Sequence, residues 1–97
     1  MLKLFLSPKA ELDLEDIYEY TLNTWGSKQA EKYQDELYYA MQTILADPHI
    51  GSIYYHKAGN YRKLNSNKHL IFYIIEVDRC IVMRILHERM DLKMNLE

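Results

Sequence analysis

The chain opens with leucine at every second position, Leu2, Leu4 and Leu6, the period of a strand that buries one face. Ser7-Pro8 follows, a preferred N-cap and then the residue best suited to the first turn of a helix. From there Ala10, Leu14, Ile17, Thr21 and Trp25 recur at steps of four, three, four and four, predicting an amphipathic helix over about 8–24. Glu11, Asp13, Glu15, Asp16 and Glu19 load its early turns with the charge that a helix N-terminus favours. Gly26 ends this helix and Ser27 is placed to cap the next. A second stripe, Ala30, Tyr33, Leu37, Met41 and Ile44, stops at Asp47-Pro48. The pattern is that of two antiparallel helices with a tight joint.

After Gly51 the texture changes to "SIYYHKAGN", which reads as a Tyr- and Gly-containing connection. "YRKL", a polar "NSNK" and "HLIFYIIEV" come next; Asn tolerates the left-handed conformation, so the tetrad is turn material between two hairpin strands. "HLIFYIIEV" is apolar at both parities, as expected of a central strand covered on both faces. Asp78-Arg79 offers a turn into "CIVMRILH", completing a three-strand meander of about 61–64, 69–77 and 80–87. Residues 88–97 carry no clear cap or period and are read as a loose helix, an extra strand or a mobile tail. The expected fold is a single α+β domain over 1–97: an N-terminal strand, then an antiparallel two-helix hairpin packed on a mostly antiparallel sheet that the meander completes.

Composition narrows the function. A chain of 97 residues holds one core, and a net charge of −2 with a pI near 6.1 lacks the field of a general nucleic-acid binder. The charge is uneven: residues 1–50 hold four lysines against nine carboxylates, and residues 51–97 hold eight Lys or Arg against five. Cys80, the single cysteine, allows no intrachain disulfide and no thiolate cluster, which suits a reducing cytoplasm. "LIFYII" is far shorter than the roughly 20 residues of a membrane span, so no membrane partner is expected.

Chemistry has few carriers. The sequence holds no Gly-rich phosphate loop, metal-ligand spacing or nucleophile elbow, so no cofactor or metal is expected. In a regular strand Arg84 shares a face with Cys80, Val82 and Leu86, and His87 shares the other with Ile81, Met83 and Ile85. The two then diverge and cannot converge on one reacting group. Arg84 in an apolar strand needs a partner, either an anion or an acid of the helices, and the structural pair is favoured. His87 reads first as a strand-end histidine bonded to backbone or to a carboxylate such as Asp91. Tyr61, Arg62, Lys63, Lys68 and His69, with Arg84 and Arg89, form either a basic aromatic-edged patch or a solvated hairpin edge. His49 and His56 read as surface residues, and Asp13, Asp16 and Glu19 as a solvated helix face. Nine tyrosines exceed what so small a core buries easily, which places some of them at a protein interface.

The whole chain resembles the ParE branch of the RelE/ParE toxin superfamily, through "LSPKAELDLEDIYEYTLNTWG", "QAEKYQDEL", "ILADPHIG", "YRKL", "HLIFYIIE" and "VMRILHERMD" in order. The resemblance implies the toxin of a bacterial toxin–antitoxin module, a non-enzymatic poison of DNA gyrase neutralised by a ParD-like antitoxin. Arg62, Lys63, Arg84, His87 and Arg89 are the candidate target contacts, and sequence-specific nucleic-acid binding is not expected. Tyr18, Leu22, Tyr38 and Met41 are the candidate antitoxin contacts, under a partner segment that folds as it binds. The ribonuclease branch of the superfamily is the alternative, with Arg62, Arg84 and His87 as its acting residues. The acidic pI and the diverging faces of Arg84 and His87 oppose it.

Overall fold

A computed structural model describes residues 2–56, 59–90 and 96, with only the backbone at His56. The chain runs β1 (Lys3–Leu6), α1 (Pro8–Trp25), α2 (Ser27–Ala46), β2 (Ser52–His56), β3 (Gly59–Ser66), β4 (His69–Ile75) and β5 (Arg79–His87). Ser7 is extended and its Oγ accepts the Ala10 N–H at 3.0 Å, so the cap that the sequence announces is made. Gly26, at φ +94°, closes α1 by donating its N–H to Leu22 O and opens α2 by accepting the Ala30 N–H. Ser27 therefore lies inside α2 rather than capping it, and no side chain caps that terminus.

The strands form one five-stranded sheet in the order β1-β5-β4-β3-β2, antiparallel except for the β1–β5 pair. "SIYYH" is thus not a connection but an edge strand, and the meander has four strands rather than three. β4 is central, as its two-parity apolar pattern requires, and Ile71, Phe72 and Tyr73 are fully buried. The turn between β3 and β4 is the pair Asn67-Lys68, with Asn67 left-handed at φ 55°; Asn65 and Ser66 of the polar tetrad extend β3.

Two apolar layers result. Between helices and sheet, Ala10, Leu37, Ala40, Met41 and Ile44 pack on Ile71, Tyr73, Cys80, Val82 and Ile85. On the far face Tyr61, Phe72 and Leu86 gather with Leu96, which is 6% exposed. Leu96 is the one described residue beyond Met90; the tail expected over 88–97 otherwise lies outside the described residues from Asp91 on. Trp25, expected on the core stripe of α1, is 71% exposed at the helix end, beyond the reach of the sheet. No described helix is long and apolar enough to cross a membrane.

Candidate target- and partner-binding surfaces

β1 pairs with β5 only from Arg79 to Val82, which leaves the outer edge of β5 bare from Met83 onward. Helix α1 fills that edge. Ser7 donates its N–H to Val82 O at 2.9 Å and its hydroxyl to Met83 O at 2.7 Å. Six residues on, Asp13 Oδ2 accepts the Ile85 N–H at 2.9 Å. A β-bulge sits at the same place: Phe72 pairs with Arg84 but Tyr73 with Val82, so Met83 is the additional residue.

The bulge resets the parity of β5. Cys80, Val82, Ile85 and His87 come to the helix side, while Leu86 goes to the far face with Phe72. The sequence reading of one regular strand thus fails at Met83, although Arg84 and His87 still oppose residues of opposite faces, Phe72 and His69. Arg84 reaches round the open edge to Asp13, donating from Nε at 2.8 Å and from Nη2 at 2.9 Å. The two side chains are only 19% and 12% exposed, and the carboxylate holds the guanidinium above its ordinary pKa. Asp13 is therefore not part of a solvated helix face; it neutralises Arg84 and seals the sheet edge in place of a strand.

Arg62 is committed in a similar way. It faces the helix side opposite Tyr73 and donates from Nη1 to Gly51 O at 2.7 Å and His49 O at 3.3 Å. The Tyr73 hydroxyl donates to Pro48 O and accepts the Gly51 N–H, so Arg62 and Tyr73 together hold the turn between α2 and β2. Burial raises the Tyr73 phenol above its ordinary pKa. Lys63 points to the far face beside Phe72, with Nζ 5.2 Å from the Tyr54 ring centroid. Arg89 is exposed, and its backbone N–H bonds His87 Nδ1 at 3.1 Å. His87 is thus bonded to backbone as expected; its other expected partner, Asp91, lies outside the described residues. The basic residues of the second half do not make one patch, because β3 sends Arg62 and Lys63 to opposite faces.

The structure adds a cluster that sequence reading did not assemble. Tyr33 on α2 bonds His69 Nδ1 at 2.5 Å, and the His69 ring stands edge-on to His87 with centroids 5.3 Å apart. Burial and then the neighbouring His87 push the His69 pKa down to about 4. Burial raises the Tyr33 phenol, and the Lys68 backbone N–H works against that rise. Tyr33 and His69 Nδ1 thus share one hydrogen bond beside a histidine whose burial favours its neutral form. The cluster pins α2 to the ends of β4 and β5. The signals were a tyrosine on the stripe of α2 and a histidine opening β4, separated by 36 positions.

Of the four candidate antitoxin contacts, Tyr18 is half-buried and Leu22 and Tyr38 are 37% and 43% exposed. Met41 is wholly buried in the core and presents nothing to a partner, since its place on the α2 stripe points it into the sheet. Among the described residues no group of three His, Cys, Asp or Glu is placed to hold a metal ion.

A sequence model described as "ParE toxin of type II toxin-antitoxin system, parDE" matches residues 4–92. The chain belongs to the ParE toxin family. It is 41% identical over 92 residues to Toxin ParE1 of Mycobacterium tuberculosis strain H37Rv and 34% identical over 91 to Toxin ParE1 of Caulobacter vibrioides, covering 94% of both chains in each case. Among solved structures, a chain of the "Chromosomal ParDE TA system from P. aeruginosa" superposes with a TM-score of 0.78 at 18% identity, over 90% of this chain and 96% of that one. A chain of the YoeB dimer from Staphylococcus aureus gives 0.53 at 18% identity, over 89% of this chain and 95% of that one. These two likenesses show the fold alone, a helical hairpin on a mixed five-stranded sheet.

Proposed function

We propose that this ParE-family toxin stops growth by binding DNA gyrase, with no chemistry of its own, and that a ParD-like antitoxin holds it inactive in the cytoplasm. The observation that carries the non-enzymatic part is the two-point bond between Arg84 and Asp13. A ribonuclease needs a free cation where charge develops and an acid or base aimed at the same atom. Here Arg84 is neutralised, Arg62 is occupied by two carbonyls, and the His87 ring opposes His69 on the helix side. The gyrase part rests on family membership and on the resemblance through "VMRILHERMD".

Lys63 and Arg89 are the target contacts we favour among the candidates, because Arg89 is exposed and Lys63 lies half-buried on the far face, away from the Asp13 and α2–β2 turn contacts that hold Arg84 and Arg62. Arg62 is engaged by the turn between α2 and β2, Arg84 by Asp13 and His87 by the His69 ring, so in this reading the three are structural. Tyr18, Leu22 and Tyr38 are the proposed antitoxin contacts. Expression in growing cells tests the reading. Arrest with intact transcripts and an induced DNA-damage response is expected; transcripts cleaved at codon boundaries before any damage response would replace gyrase by the ribosome.

A further inference from the structure

The sheet has two outer edges and treats them differently. β1 is four residues long and carries Lys3, the short, charged form in which an exposed strand resists pairing with another chain. Where β1 gives out, Ser7 and Asp13 take up the edge of β5. β2, at the other end, has none of these devices. Ser52–His56 contains no Lys, Arg, Asp, Glu or Pro, its register on β3 runs without a bulge, and among the described residues no strand pairs with its outer side. Ile53 and Tyr55, on the face that Arg62 shares, are 50% and 74% exposed. A hollow of about 400 Å3 opens beside them, lined by both and by His49, Asn60, Arg62 and Ile75.

We infer that β2 is a self-association edge, on which a second copy of this chain adds its own β2 antiparallel about a two-fold axis at Tyr54, joining two five-stranded sheets into one of ten strands. The strand is complementary to itself in that register. Ile53 stands opposite the partner's Tyr55, Tyr54 opposite its own mate and Ser52 opposite the partner's His56, so apolar meets apolar and no lysine, arginine or carboxylate is opposed or buried. The partner's Tyr55 then comes to the mouth of the hollow beside Ile53. A net charge of −2 sets little repulsion between copies. An antitoxin strand is disfavoured as the occupant: the contacts proposed for it sit on α1 and α2, and α1 packs over β1 and β5 at the opposite end of the sheet. Five residues a side place the contact below the roughly 1,200 Å2 of a standard interface, so the dimer should dissociate on dilution. The inference does not depend on the toxin reading.

The test uses folded toxin without antitoxin, followed by sedimentation velocity over about a hundredfold range of concentration. The mass should rise from that of one chain, 11.7 kDa, toward twice that value, and a variant carrying I53K and Y55K, both at exposed positions, should stay at one chain throughout. A cross-link reads the register. Under mild oxidation Tyr54→Cys should give a covalent dimer, since its two thiols lie directly opposite each other; those of Ile53→Cys sit diagonally, roughly 7–8 Å apart at the backbone, and should give at least about tenfold less. Cys80 is wholly buried and does not compete. If Tyr54→Cys does not fold, the I53K/Y55K variant decides alone. A mass that stays at one chain at every concentration, an I53K/Y55K variant that pairs as wild type does, or equal cross-linking of the two cysteine variants would overturn the inference. So would amides of Ser52–His56 that gain exchange protection on adding antitoxin at a concentration where the toxin is monomeric, because the edge would then belong to the antitoxin.

Discussion

Asp13 and Arg84, 71 positions apart in sequence, meet in a two-point ion pair at the place where β1 stops covering β5. One carboxylate does two jobs there, neutralising the guanidinium and taking the Ile85 N–H that a neighbouring strand would otherwise accept. Removing Asp13 leaves a mostly buried cation and an orphan N–H, whereas removing Arg84 leaves Asp13 still bonded to backbone. Asp13→Ala should cost about 3 kcal/mol and Arg84→Ala clearly less, read from urea unfolding of the free toxin. Equal losses would mean that the Ile85 bond contributes nothing.

The Tyr33–His69–His87 cluster makes stability depend on pH. The folded His69 pKa of about 4 lies below its ordinary 6.5, so the unfolded chain takes up the proton more readily. The contribution is complete above about pH 6.5 and is lost as pH falls from there toward about 4. With the ring partly wet, the loss should reach about 1–2 kcal/mol. Thermal melts between pH 4 and 8 should show this slope, and His69→Gln should flatten it. Tyr33→Phe should weaken it by removing the bond to Nδ1.

Gly51 stands where no side chain fits. A Cβ there would lie 2.5 Å from Tyr73 Oη and 2.9 Å from the Lys63 carbonyl oxygen, and the latter is backbone that cannot swing away. Gly51→Ala should therefore lose about 1–3 kcal/mol by chemical denaturation. Tyr73→Phe, which removes the hydroxyl joining Pro48 and Gly51, should lose a similar amount for a different reason, an unsatisfied buried N–H.

Cys80 is wholly buried and burial pushes its thiol up to about 11. At pH 8 the folded toxin should resist a disulfide-exchange reagent and react only at the rate of its own unfolding. Rapid labelling of folded protein would show that β5 opens locally.

The helices were legible because their signals are local. Ser7-Pro8 and Gly26 mark the ends by chemistry that acts within four residues, and the stripes of Leu37, Met41 and Ile44 follow the helical period. β2 was not, because an edge strand needs no strict alternation, and Ile53, Tyr54 and Tyr55 run together without it. Nor was the bulge at Met83, which follows from β1 being too short to cover β5, a tertiary fact with no local signature. A helix acid as partner for Arg84 was readable from the charge itself, but its identity was not. Asp13 looks like its exposed neighbours Asp16 and Glu19 until the helix is laid against the sheet. The same geometry removes Met41 from the outer surface and Arg62 from any free basic patch.

A toxin that binds gyrase and one that cuts RNA differ in what they do to purified targets. The most direct test is purified folded toxin incubated with gyrase, ATP and relaxed plasmid, scored for lost supercoiling and for trapped double-strand breaks. A gyrase poison gives one or both effects, abolished by antitoxin and retained in Arg84→Lys protein that still folds. A folded, growth-arresting toxin with no effect on gyrase, but with ribosome-dependent cleavage of messenger RNA that His87→Ala abolishes, would contradict the gyrase reading.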